Sequence, residues 1–150
     1  MIEQAKRAGP ICVLLVEDNP GDVRLTQKAF DKASVRAGLH AVDNGKAALD
    51  FLHRRGEYEG GPGADLVLLD LKLGDCEGTE LLEQIKKDPA LKAIPVIVLS
   101  SSAAPEDIAR AYQHHANAYI TKPTDFPSLI QAVHYLNDFW FELALLPAHS

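Results

Sequence analysis

Apolar positions along this chain come in two patterns. In the first they are consecutive. Ile11 to Val16 and Leu66-Val67-Leu68-Leu69 are unbroken runs, and so is Pro95-Val96-Ile97-Val98-Leu99. Leu39 to Val42 is a weaker run, extending back toward Val35, and Tyr119-Ile120 is a short one. Runs of four to six residues, apolar on both faces, read as strands buried inside a parallel sheet. In the second pattern apolar residues recur every three or four positions, which reads as helix. Val23, Leu25, Ala29, Phe30 and Ala33 form one such set, and Ala47, Ala48, Phe51 and Leu52 another. Leu81, Leu82 and Ile85 give a third, within Thr79 to Lys87.

The polar residues between these segments punctuate them. Asn19-Pro20 opens the first helix, with Asn19 as cap and Pro20 in the first turn. Asn44-Gly45 is a hairpin signal in isolation, but the helical spacing that follows makes it a helix start. Asp88-Pro89 closes the third helix. Pro105-Glu106-Asp107 opens the fourth, with acids suited to its N-terminal dipole. Thr124-Asp125 caps a last helix that runs from Phe126 into the 140s. Strand and helix therefore alternate five times. With right-handed crossovers this predicts an α/β fold, a five-stranded parallel sheet, doubly wound as a three-layer sandwich.

The chain has 150 residues, enough for one domain with a substantial core. The expected division is a polar tail over 1–10, a domain over 11–138 and an apolar C-terminal extension over 139–150. A net charge of -6 leaves no basic stripe for nucleic acid and no attraction to anionic membranes. The two cysteines, Cys12 and Cys76, form neither a CxxC pair nor a disulfide framework. No segment has the form of a signal peptide or the length of a membrane span. These features predict a cytoplasmic protein.

The chemistry gathers at strand ends. In parallel α/β sheets, sites form at the carboxyl ends of the strands. Glu17-Asp18 ends the first run, Asp70 the third and Ser100 the fourth, and Lys122-Pro123 follows the fifth. Three acids converging at one edge suit a hard cation such as Mg²⁺, or Mn²⁺ in its place, held by Asp18 and Asp70. Glu17 would reach it through a water, and the backbone carbonyl of Lys72 would fill another position. With charge neutralised there, the Asp70 carboxylate becomes a nucleophile toward phosphorus. Lys122 and the Ser100 hydroxyl would bind phosphoryl oxygens. The Gly-rich stretch Gly56 to Gly63 precedes a strand instead of a helix, so it reads as a surface loop, not a phosphate cradle. The six histidines show no metal-ligand spacing.

Four segments carry a family resemblance: Leu15-Val16-Glu17-Asp18-Asn19, Leu68-Leu69-Asp70-Leu71, Pro95-Val96-Ile97-Val98-Leu99-Ser100 and Tyr119-Ile120-Thr121-Lys122-Pro123. The chain resembles the receiver domain of two-component response regulators over roughly residues 11 to 138. The resemblance implies a flavodoxin-like fold and a Mg²⁺-dependent phosphoacceptor at Asp70. The donor would be a phosphohistidine on a sensor histidine kinase. It further implies Glu17 and Asp18 as metal acids, Lys122 as the phosphate-binding lysine, and Ser100 with Tyr119 as a switch pair. The protein would then be a phosphoacceptor, not an enzyme in the usual sense. The loop Gly56 to Gly63 and the ending Phe139 to Pro147 look like those of single-domain regulators paired with bacterial and cyanobacterial phytochromes.

Departures from the family pattern are local. Lys72 stands where Asn is common, and Gly74 where Pro is usual. Lys72 and the small Ser102 are expected to set the lifetime of the phosphoryl group. Two other readings compete. An aspartyl-nucleophile phosphatase would want a second acid at the place of Lys72, and a phosphorylation-independent scaffold would not need the full acid set.

The last helical stripe, Phe126, Leu129, Val133 and Leu136, suits packing on the sheet. Beyond it, Phe139, Trp140, Phe141, Leu143, Leu145 and Leu146 crowd too much apolar surface for one core. They predict a partner surface, with a homodimer as the expected assembly.

Overall fold

The computed structural model describes residues 11–147. The expected tail over 1–10 and the final three residues lie outside the described part. Five strands form one parallel sheet: β1 (Ile11–Val16), β2 (Ala37–Val42), β3 (Leu66–Leu69), β4 (Val96–Ser100) and β5 (Ala118–Thr121). Their spatial order is β2-β1-β3-β4-β5. The chain reverses its direction of travel between β1 and β3, and that is where a crevice opens in such sheets. The helices are α1 (Pro20–Ala33), α2 (Gly45–His53), α3 (Gly78–Lys87), α4 (Pro105–Gln113) and α5 (Phe126–Leu136).

Alternation along the buried strands divides the core in two. Leu14, Val16, Val67, Leu69, Val96 and Val98 face one side, where α2, α3 and α4 cover them with Phe51, Leu52, Leu81, Leu82, Ile85 and Ala111. Val13, Leu15, Leu66, Leu68 and Ile97 face the other side, under Ala29, Phe30 and Ala33 of α1 and Val133 and Leu136 of α5. Both faces of β1, β3 and β4 are therefore dry, which is why these strands read as unbroken apolar runs. The edge strand β2 exposes His40 and Ala41, which is why its signal was weak.

The caps follow the sequence signals. The Asn19 side chain accepts from the amides of Gly21 and Asp22. Asn44 accepts from the Ala47 amide, so Asn44-Gly45 starts a helix and not a hairpin. Asp125 accepts from the Ser128 amide. Within the loop after α2, Gly56–Tyr58 makes one 3₁₀ turn, and Tyr58 packs edge-on against Phe51 at 5.2 Å between ring centroids.

The last helix does not simply lengthen. From Asn137–Leu143 it widens into a π-helical turn, and an extended segment follows. The wider turn lets Phe141 point back to the sheet. Its ring lies 6.3 Å from that of Phe30, and the residue is 4% exposed. Trp140 and Leu146 pack partly on the same cluster. This corrects one expectation: Phe141 belongs to the core of its own chain, so it is not part of a partner surface. Phe139, Leu143 and Leu145 remain outside, at 51%, 67% and 61% exposure.

Candidate functional site

The site lies at the carboxyl end of the sheet, where β1 and β3 end side by side and β5 ends beyond β4. Glu17 and Asp18 follow β1 directly, and Asp70 follows β3. The Asp70 amide donates to the carbonyl of Val16 at 3.0 Å, which sets the two strand ends in register. Carboxylate oxygens of Glu17, Asp18 and Asp70 come within 4.8 Å of one another. Glu17 and Asp70 are buried, while Asp18 faces solvent. Oxygen-only donors clustered this closely, with one side open to water, fit a small hard divalent cation.

Lys122 closes the other side. Its Nζ lies 2.6 Å from Glu17 Oε1, 3.0 Å from Asp22 Oδ2 and 3.2 Å from Asp70 Oδ2. Asp22 is a member of this group that strand-end reasoning missed. It sits in the first turn of α1, and nothing in the strand-end pattern marks it. Two backbone amides also point in: Asn19 donates to Glu17 Oε2 at 3.2 Å and Lys72 to Asp70 Oδ1 at 3.3 Å.

The electrostatics follow from burial and crowding. Burial pushes the Glu17 carboxyl up to about 7; the Lys122 hydrogen bond opposes this and neighbouring Asp70 adds to it. Burial alone would lower the Lys122 ammonium. Its hydrogen bonds to Glu17 and Asp22, with the charge of Asp70, outweigh that and hold it above its ordinary value. One fixed cation thus faces several carboxylates, and the excess negative charge favours a second, mobile cation.

The remaining expected residues surround this centre. Ser100 is buried at the end of β4, where its hydroxyl accepts from the Ser102 amide at 3.1 Å. The Tyr119 ring is half-buried against the core, and its hydroxyl donates to the Ser102 carbonyl at 2.8 Å. Ser102 in turn donates its own hydroxyl to Asp107 at 2.5 Å. Lys72 is exposed, and its backbone forms an isolated antiparallel bridge with that of Glu77 across the loop after β3. Gly78 begins α3 directly beneath the acid: a Cβ there would overlap the carbonyl of Asp70 and the Cα of Leu71. Of the candidate partner-surface residues, none lies among these groups.

The sequence matches the response regulator receiver domain over residues 13–134. This chain belongs to the response regulator receiver family. Among its relatives is response regulator Rcp1 of Synechocystis sp., 40% identical over 139 residues, covering 93% of this chain and 95% of that protein. The Mn²⁺-bound form of Rcp1 superposes with a TM-score of 0.83, covering 93% of this chain and all of the other. The phosphorylated cyanobacterial phytochrome response regulator RcpA, 41% identical, superposes at 0.86 with the same coverage. The probable methanogenesis regulatory protein FilR2 of Methanothrix harundinacea is 40% identical over 133 residues, covering 87% of this chain and 84% of that protein. Among the described residues, no helix is long and apolar enough to cross a membrane.

Proposed function

We propose that this receiver accepts a phosphoryl group on Asp70 from a phosphohistidine of a sensor histidine kinase. The observation that carries this reading is the buried Asp70 carboxylate, set between the Lys122 ammonium at 3.2 Å and the acids Glu17 and Asp18. Asp70 attacks phosphorus, the bond from phosphorus to the kinase histidine breaks, and an acyl phosphate forms. Lys122 meets the charge on the phosphoryl oxygens, and the Ser100 hydroxyl turns to donate to one of them. Glu17, Asp18, Asp70 and the Lys72 carbonyl would hold Mg²⁺ or Mn²⁺, which neutralises the approaching phosphoryl group. Ser100 and Tyr119 share the Ser102 turn, so drawing Ser100 inward shifts an equilibrium that Tyr119 also reads.

The kinase would be a phytochrome, and the likeness to RcpA together with the apolar C-terminal extension supports that assignment. The protein would be cytoplasmic, free of nucleic acid and membrane, and would form a homodimer through Phe139, Leu143 and Leu145 at the end of α5. Trp140 and Leu146 would border that surface.

Intact mass after treatment with acetyl phosphate tests the central claim. One phosphoryl adduct that requires Mg²⁺ and vanishes in Asp70→Asn is expected. An adduct that survives in Asp70→Asn would overturn it. Transfer from a purified bacteriophytochrome kinase, faster than from an unrelated histidine kinase, tests the pathway.

A further inference from the structure

The loop after β3 is tied at its far end. It leaves the sheet at Asp70, turns back through the Lys72–Glu77 bridge and enters α3 at Gly78, whose amide donates to the Leu71 carbonyl at 2.7 Å. Its tip is Gly74-Asp75-Cys76. Asp75 reaches out of the loop to a different element. Its carboxylate accepts from the Gly45 amide at 2.9 and 3.1 Å and from the Lys46 amide at 3.3 Å. These are the first two amides of α2, which Asn44 leaves unfilled by taking that of Ala47. The Gly45 amide holds the Asp75 carboxyl below its ordinary value. Beside this clamp the packing is tight, since a Cβ on Gly45 would lie 2.7 Å from Cys76 Sγ.

The clamp has a consequence for the acidic centre. The loop tip passes over Asp18, close enough that a Cβ on Gly74 would lie 3.8 Å from Asp18 Oδ2. The same loop carries Lys72, whose amide donates to Asp70. Fixing the tip to α2 therefore fixes the backbone on two sides of the acids.

We propose that Asp75 is a positioning residue for the cation: by pinning the loop tip to the start of α2, it holds the Lys72 and Gly74 backbone around Glu17, Asp18 and Asp70. The inference rests on the reading of those acids as the cation site. In a loop with Gly74 in place of the usual proline, a side chain bonded across to another helix takes over the part of a stiff backbone link. Outer supports of this kind typically change metal affinity by roughly tenfold or more when removed.

The test compares wild type, Asp75→Asn, Asp75→Ala and Asp50→Ala. Asp50 lies on α2 and its carboxylate pairs with Lys46 and Arg55 among the described residues, away from the loop tip, so it controls for general weakening of that helix. Calorimetric titration of the unphosphorylated chain with Mn²⁺ and with Mg²⁺ gives the affinity directly. Acetyl phosphate reactions at varied Mg²⁺ give the half-saturating concentration and the limiting rate. We expect Asp75→Ala to bind roughly tenfold more weakly, to need correspondingly more Mg²⁺, and to keep most of its limiting rate. Asp75→Asn, with an acceptor oxygen retained, should fall between, and Asp50→Ala should match wild type. Wild-type affinity in both Asp75 variants would overturn the proposal and leave Asp75 as a helix cap alone. Equal loss in Asp50→Ala would also overturn it. If wild type itself binds neither ion, the reading of the acids fails first and this inference falls with it.

Discussion

Glu17 shows how far a single environment can move a side chain. Its carboxyl sits near 7 because burial disfavours the charge. In the folded metal-free chain it holds a proton that the unfolded chain releases near 4.5. This contribution to stability is complete below about 4.5 and is lost as pH rises through about 7. In chelator, the urea midpoint of wild type should therefore fall relative to Glu17→Gln between pH 5 and pH 8; parallel curves for the two would contradict the assignment. Lys122 is the complementary case. Lys122→Gln leaves buried acids without their cation, and should cost the metal-free chain about 2 kcal/mol. Added Mg²⁺ should restore much of that loss by binding the folded state, while the phosphorylation rate stays depressed by about a hundredfold. Thermal melts with and without Mg²⁺, beside acetyl phosphate kinetics, separate the two effects. Lys72→Asn should alter the half-life of the phosphoryl group, and equal half-lives would end the role proposed for Lys72.

At the scale of elements, local signals and long-range needs divide cleanly. Asn19, Asn44 and Asp125 cap their helices because a short acceptor before the first turn satisfies amides that have no partner within the helix. Asn44→Ala should lower stability by about 1 kcal/mol, measured by urea denaturation. The end of α5 obeys a different rule. Phe139, Trp140, Phe141, Leu143, Leu145 and Leu146 carry too much apolar surface for one core, and the π-helical turn sorts them, burying Phe141 against Phe30 and leaving Phe139 outside. Phe141→Ala should cost about 3 kcal/mol by opening a cavity, whereas Phe139→Ala should cost well under that in the monomer. Comparable losses at both positions would contradict the assigned packing.

For the whole molecule, the sheet order β2-β1-β3-β4-β5 brings Glu17, Asp70 and Lys122 together from points 53 and 52 residues apart. Helices cover both faces of the sheet, and among the described residues the end of α5 and its extension leave Phe139, Leu143 and Leu145 exposed close together in the chain. Replacing Phe139, Leu143 and Leu145 together with serine should convert the proposed dimer to monomer in sedimentation velocity, with the melting temperature of the monomer little changed. Truncation before Phe141 is the poorer experiment, because it removes part of the core. An unchanged sedimentation coefficient in the triple variant would place the contact elsewhere.

The sequence alone determined the alternation of strands and helices and most members of the acid group. Buried strands must be apolar on both faces and helices on one, so their periods show in the chain, and a polar residue ending a buried run has few places to go but the sheet edge. That logic reached Glu17, Asp18, Asp70, Ser100 and Lys122 without coordinates. It missed Asp22 in the group, Asp75 on α2 and Phe141 in the core, for one physical reason. Each acts through a contact fixed by how two elements pack, whether α1 against β5, the β3 loop against α2, or the last turn against α1. Periodicity records which face of an element is buried. Which residue it meets there is decided only when the elements come together.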